Sequence, residues 1–308
     1  MFDQPSYLRV FLTFARNSLV RDMTFRMNFV IDCISSLSWA AMNLGFYLLI
    51  FENTKQIGSG TGWGKYEFFA FLATTMFVNS LVQAFFMPNC EEFSEMIRTG
   101  GLDFALLKPI DTQFLISMQK IEWSALSNFV LGMVLLGVSL VKLASEPFSR
   151  LAHALKSAGP AMNLVNLASE PLKSWLFSWP MLVLYPIYVL CGVAILYSLM
   201  ISLSAASVWL GRNQTLYDFW FYITNFSRYP QEIYRGPWGS PLQWLFTFII
   251  PVLVVVNVPA RIVAQPLRPH TSLAWTMAAF ALFATIASLL ASRWLFSTAL
   301  SRYRSASS

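Results

Sequence analysis

Apolar runs long enough to cross a bilayer recur along almost the whole chain, and no other feature constrains its fold as tightly. They lie at about residues 25–51, 66–87, 123–141, 179–210, 242–258 and 273–296. Roughly 20 apolar residues in a helix span a hydrocarbon core of about 30 Å. Charge is too scarce for a water-facing alternative. Charged residues make up 12% of the chain and hydrophobic ones 56%, whereas a soluble domain carries roughly 25% charged residues. In lipid every backbone N–H and C=O has to be satisfied within the protein, so such runs become helices. Residues 1–308 therefore read as a single transmembrane domain, an all-α membrane protein with six spans. The 11 Trp and 11 Tyr fit rings seated at headgroup depth.

The segments between the runs differ in character. Residues 5–22 place Leu8, Phe11, Leu12, Ala15 and Leu19 at helical spacing, with Arg9, Arg16 and Arg21 largely elsewhere on the wheel. This predicts an interfacial helix. Residues 52–65 form a Gly-rich turn, and Pro88 ends the second run. The stretch 88–113 is polar: Glu91, Glu92, Glu95 and Arg98 sit on a short predicted helix, broken by Gly100 and Gly101. Residues 144–178 repeat Ser-Glu-Pro at Ser145 and Ser169. That predicts two short helices with serine caps, separated by Gly159 and Pro160. Residues 211–240 read as a polar loop. With the N-terminus inside, 13 of the 21 Lys and Arg fall on the inner side and 8 on the outer, which places both termini in the cytoplasm.

Catalytic patterns are missing. The two histidines, His153 and His270, fall in predicted outer loops, and no zinc-protease or nucleophile-elbow motif occurs. The run Gly58–Lys65 fails as a phosphate loop, because Ser59 and Tyr66 stand where it needs Gly and Ser or Thr. Cys33, Cys90 and Cys191 have no metal-ligand spacing. No metal and no cofactor is expected in this chain. The net charge of +6 flanks apolar runs, which reads as topology signal and lipid headgroup contact rather than nucleic-acid binding. No cleavable signal peptide is read at the N-terminus. Asp32 is the one acid well inside a predicted span, thin support for an ion-coupled carrier. Asp32, Asn43, Gln83 and Asn257 are polar enough to line a pathway and equally suited to interhelical hydrogen bonds.

Two blocks carry a resemblance. Arg98, Gly100, Leu102, Asp103, Leu106 and Pro109 fit the pattern R-x-G-x-L-D-x-x-L-x-x-P. This resembles the ABC-2 type permease family, in particular its six-span bacterial subfamily. The later half agrees through Phe219-Trp220, Arg228-Tyr229-Pro230, Pro251 and Pro259. The segment 144–178 is longer than the family pattern. The resemblance implies a six-helix ABC-2 (type V exporter-like) bundle with an N-terminal interfacial helix in the bacterial inner membrane. It also implies a homo- or heterodimer with a second permease copy, and a separate ABC ATPase that holds the ATP and magnesium. Its coupling helix would be residues 89–98, with Glu91, Glu92, Glu95 and Arg98 at the ATPase, and its external helical element about 259–271. The transport direction it implies is export. The alternative is a non-transporting membrane scaffold or assembly factor that uses 144–178 to bind an extracytoplasmic partner.

Overall fold

A computed structural model describes residues 6–58, 62–157, 164–210, 214–264 and 272–303. The described residues form twelve α-helices and no strand. Helix α1 (Tyr7–Thr24) leads into α2 (Arg26–Asn53), and α3 (Lys65–Phe85) returns. Three short helices follow: α4 (Met87–Thr99), α5 (Gly101–Leu106) and α6 (Thr112–Met118). Then come α7 (Leu126–Ser157), α8 (Leu164–Leu210) and α9 (Gln214–Asn225). Helix α10 (Ser240–Trp244) continues into a π-turn, Leu245–Ile249, followed by α11 (Val252–Ala264) and α12 (Ser272–Arg302).

Five helical stretches are long and apolar enough to cross a membrane: Arg26–Asn53, Lys65–Phe85, Trp123–Ser145, Val183–Trp209 and Trp275–Arg302. Helix α3 is the hub, with Phe68, Ala70, Phe71, Ala73, Val78 and Val82 fully buried. Small residues let neighbours approach it closely, as such residues do between membrane helices. At Gly132 on α7 a Cβ would stand 3.2 Å from Met76 Cβ and 3.3 Å from the Ala73 carbonyl oxygen. Helix α2 lies at the periphery and buries none of its residues.

Two faces can be told apart by contact. On the near face, the hydroxyl of Ser18 in α1 accepts from the backbone N–H of Ile121, Tyr7 meets Phe114, and Phe296 near the end of α12 meets Phe93 of α4. Both described ends of the chain therefore lie with α4–α6. On the far face, the indole of Trp63, just ahead of α3, donates to Glu232 at 2.9 Å.

That last contact overturns two expectations. Residues 226–234 lie on the far face, beside Trp63 and Tyr47, and not on the face of the termini. Ser204 of α8, by contrast, reaches Cys90 on the near face. The chain thus changes sides between these points, with α9 as the described helix in between; its 12 residues are fewer than the roughly 20 that span a hydrocarbon core. The expected fifth span, 242–258, is interrupted at Pro251, as its proline suggests. Ser240–Ile249 and Val252–Ala264 meet at 87° around Pro251, and both outer ends of the pair lie at the far face. It is a re-entrant hairpin. Moving Arg228 and Arg235 across reduces the charge bias from 13 against 8 to 11 against 10, too small a margin to orient the bundle.

The 144–178 segment differs as well. Ser145 and Pro147 lie within α7, and Ser169 and Pro171 within α8. Instead of two separately capped helices, the spanning helices themselves run on. At 1.5 Å per residue, the 47 residues of α8 reach about 70 Å, more than twice the hydrocarbon core. Gly159 and Pro160 lie outside the described residues.

Candidate functional site

The near face gathers most of the polar structure. Helix α4 begins with Pro88 in its first turn and ends at Gly100, whose φ of +75° is the left-handed cap that favours glycine. Its inner side is apolar: Phe93 is fully buried, and Cys90 is 4% exposed. Burial pushes the Cys90 thiol up to about 12, which makes it inert at neutral pH. Its outer side carries Glu91, Glu95 and Thr99, spaced i, i+4, i+8 and all exposed. Next to them α5 buries Leu102 and exposes Phe104 at 73%, and Leu107 follows at 82%. Two acids and two large apolar side chains are thus exposed on the α4–α5 step, that is, on α4, α5 and the residue that follows α5.

Two clamps hold α4 and α6 in place. Asn89, 2% exposed, is the first. Its amide donates to the Lys120 carbonyl at 2.7 Å while its Oδ1 accepts from the Lys120 N–H at 2.7 Å. Each bond satisfies a backbone group that would otherwise be orphaned in a partly buried turn. Lys120 Nζ also pairs with Glu92 at 2.7 Å. The second clamp starts at Asp111, which caps α6 by accepting from Phe114 N–H at 3.0 Å. Arg293 of α12 grips the same carboxylate with both Nη atoms. It also donates to Gln113 Oε1 at 2.9 Å, and Gln113 donates to the Tyr197 hydroxyl of α8 at 3.0 Å. The hydroxyl of Ser117 lies 2.8 Å from that of Tyr197. The Arg293 hydrogen bonds hold the Asp111 carboxyl below the usual carboxylate range, outweighing its partial burial. Burial, and after it the nearby Asp103, raises the hydroxyl pKa of Tyr303, just past α12. Side-chain hydrogen bonds thus tie α6 and its Asp111 cap to α8 and α12.

The residues read from sequence separate cleanly. Glu91 and Glu95 face outward, Glu92 is committed to Lys120, and the Arg98 side chain lies outside the described residues. Gly100, Leu102 and Asp103 build the α4–α5 corner, and Pro109 is exposed just ahead of the Asp111 cap. Arg228, Tyr229, Pro230, Pro251 and Pro259 belong to the far face and the hairpin. The four pathway candidates do not converge. Asp32 is exposed on α2, Asn43 bonds back to Trp39 of its own helix, and Gln83 is half-buried. Asn257 is 1% exposed and has both ends taken, by the Gln231 N–H and the Leu253 carbonyl. Asn89, Asp111, Gln113, Tyr197 and Arg293 were not anticipated. Among the described residues no group of His, Cys, Asp or Glu could hold a metal ion.

One family model matches the chain, that of the "ABC-2 family transporter protein", over residues 37–157 and 174–307. The match passes over 158–173, of which 164–173 are the first turns of α8. No curated protein and no solved structure matches.

Proposed function

The chain belongs to the ABC-2 transporter family, and on that premise we propose that it is the transmembrane permease subunit of an ABC exporter, driven by a separate ATPase seated on the α4–α5 step. The observation that carries this reading is the step itself: exposed Glu91 and Glu95 beside exposed Phe104 and Leu107, followed by α6, which is hydrogen-bonded to α8 and α12. Mixed acid and apolar surface is what a soluble partner with a basic rim and an apolar socket would grip. ATP and magnesium belong to that partner. A second permease copy, identical or paralogous, completes the pathway, and the near face is the cytoplasmic side of a bacterial inner membrane. A ligand moves such an equilibrium only through different affinity for its two states. ATP closure of the partner therefore has to pull on the step, and the Asp111–Arg293–Gln113–Tyr197 chain is a hydrogen-bonded route inward.

Co-purification with the ABC ATPase encoded nearest to it tests the proposal. The expected result is a complex whose ATPase activity loses its dependence on the permease when Glu91→Lys and Glu95→Lys are combined, while Glu92→Gln leaves it coupled. No complex, or a complex indifferent to the double reversal, rejects the coupling role.

A further inference from the structure

A buried carboxylate, Glu232, lies at the far face, away from the docking step. Both carboxylate oxygens of Glu232 are used: Oε2 accepts from the Trp63 indole at 2.9 Å, and Oε1 pairs with Nη2 of Arg261. The side chains are 4% exposed for Glu232 and 21% for Arg261, and Trp63 is fully buried. Helix α11 holds the 231–234 turn twice, because Asn257 and Arg261 lie one helical turn apart. Asn257 takes the Gln231 N–H at 2.9 Å, and Arg261 takes the next residue's carboxylate. Glu232 thus ties three segments that are distant in sequence: the entry to α3, the 231–234 turn and the ascending arm of the hairpin.

The hairpin held by this contact is jointed at both ends of its descending arm. Gly236 has φ of +150°, and at Gly239 a Cβ would stand 2.3 Å from the Tyr234 carbonyl oxygen, so the turn into α10 needs glycine. At the bottom, a π-turn and the 87° bend at Pro251 interrupt the helical ladder, the kind of break found at helix kinks and functional sites. The descending arm rests on ring contacts, Phe246 on Phe226 with centroids 4.2 Å apart and Phe248 on Phe280 at 5.2 Å. Ring stacking yields to sliding more readily than a buried ion pair does. Arg261 Nε, moreover, is buried without a partner. The pair is strong yet incompletely satisfied, so a rearranged state that completes its bonds competes with it.

We propose that Glu232 is a releasable latch: it holds the re-entrant hairpin 240–264 shut against the start of α3, and its parting from Arg261 lets the hairpin swing and admits water at the far face. The proposal rests on the transport reading for its purpose but not for its test. A chain with Cys33, Cys90 and Cys191 replaced carries one reporter cysteine, either Thr247→Cys on the hairpin or Ser139→Cys in α7, both buried sites. Reconstituted in vesicles, each is labelled with a membrane-impermeant maleimide. Glu232→Gln is expected to raise the labelling rate at 247 at least about tenfold and to leave 139 unchanged. Trp63→Phe, which removes one bond and keeps the ion pair, is expected to raise 247 by a smaller factor, and it carries the same comparison if Glu232→Gln does not fold. Equal rates at 247 in wild type and variants overturn the latch. A parallel rise at 139 also overturns it, since that marks a structural strut whose loss loosens the whole bundle. In the ATPase complex, ATP is expected to raise labelling at 247 in the wild type. Hydrolysis without that rise rejects release of the latch during the cycle. If no complex forms, the exporter reading falls, and the latch is still decided by the chain-alone rates.

Discussion

The molecule closes each face with an arginine–carboxylate pair, and the two pairs work under different physics. On the near face, Arg293 and Asp111 are 55% and 31% exposed; on the far face, Arg261 and Glu232 are 21% and 4% exposed. The near pair is the more exposed, and a pair that water and salt reach gains little net energy and is screened. Its value is directional, since Arg293 continues through Gln113 to Tyr197. The far pair has given up its solvation, so its attraction is large and so is the penalty for leaving either partner alone. A transmission contact has to stay made while its surroundings move, and modest, redundant bonds do that. A latch has to have two distinct states, and a buried pair does that.

The largest effect expected from this contrast is Arg261→Met. It leaves the Glu232 carboxylate buried with the Trp63 indole as its one remaining bond, and breaking a buried pair from one side costs about 3–5 kcal/mol. Thermal unfolding in detergent should show a drop of that order, with little dependence on salt. A loss below about 1 kcal/mol would mean that water already reaches the pair, and the contrast between the faces would fail.

Next in size is Asn89→Ala on the near face, which orphans the Lys120 N–H and carbonyl together in a partly buried turn. Each unsatisfied buried group costs about 1–3 kcal/mol, so a loss of about 2 kcal/mol is expected in the same assay. Asp111→Asn should cost less, about 1 kcal/mol or under, because asparagine retains the cap on Phe114. This difference should shrink as salt rises. It also has a defined pH sign. The folded carboxyl sits below its ordinary value, so its contribution is full above the unfolded value of about 3.9 and is lost as pH falls through the folded one. The gap between wild type and Asp111→Asn should therefore be constant above about pH 5 and close on further acidification. A gap that instead closes on raising the pH would assign the stabilisation to another group.

How far this was legible in the sequence depends on whether a feature is local. The runs that became α2, α3, α7, α8 and α12 were readable because a long apolar stretch has few other fates. The reversal within the fifth run was missed for a physical reason. Hydropathy counts residues and carries no direction, so 242–258 looked like a span although it turns back at Pro251. Helix α9, with 12 residues, is too short to register as one. The outward acids Glu91 and Glu95 could be seen from their spacing alone. The clamps could not, because Arg293 and Asp111 are 182 positions apart and Glu232 and Trp63 are 169 apart. One local trace existed: Asp111-Thr112-Gln113 after Pro109 is a helix-start pattern, and it does cap α6.

The smallest expected effect is the most useful control on the docking step. Glu92 pairs with Lys120 at 2.7 Å, with side chains 32% and 37% exposed, on the same short helix as Glu91 and Glu95. Such a half-exposed pair is worth about 0–1 kcal/mol, so Glu92→Gln should leave the unfolding midpoint within a degree or two, an estimate on the same scale. If the acids acted through the overall negative charge of α4, neutralising Glu92 would weaken a basic partner's binding as much as neutralising Glu91 or Glu95. If they act by position, binding titrations of the ATPase should separate Glu92→Gln, which stays near wild type, from Glu91→Gln and Glu95→Gln, which weaken. Equal weakening by all three would replace the step of named side chains with a diffuse electrostatic field. In that case salt, rather than any single substitution, would be the variable that releases the partner.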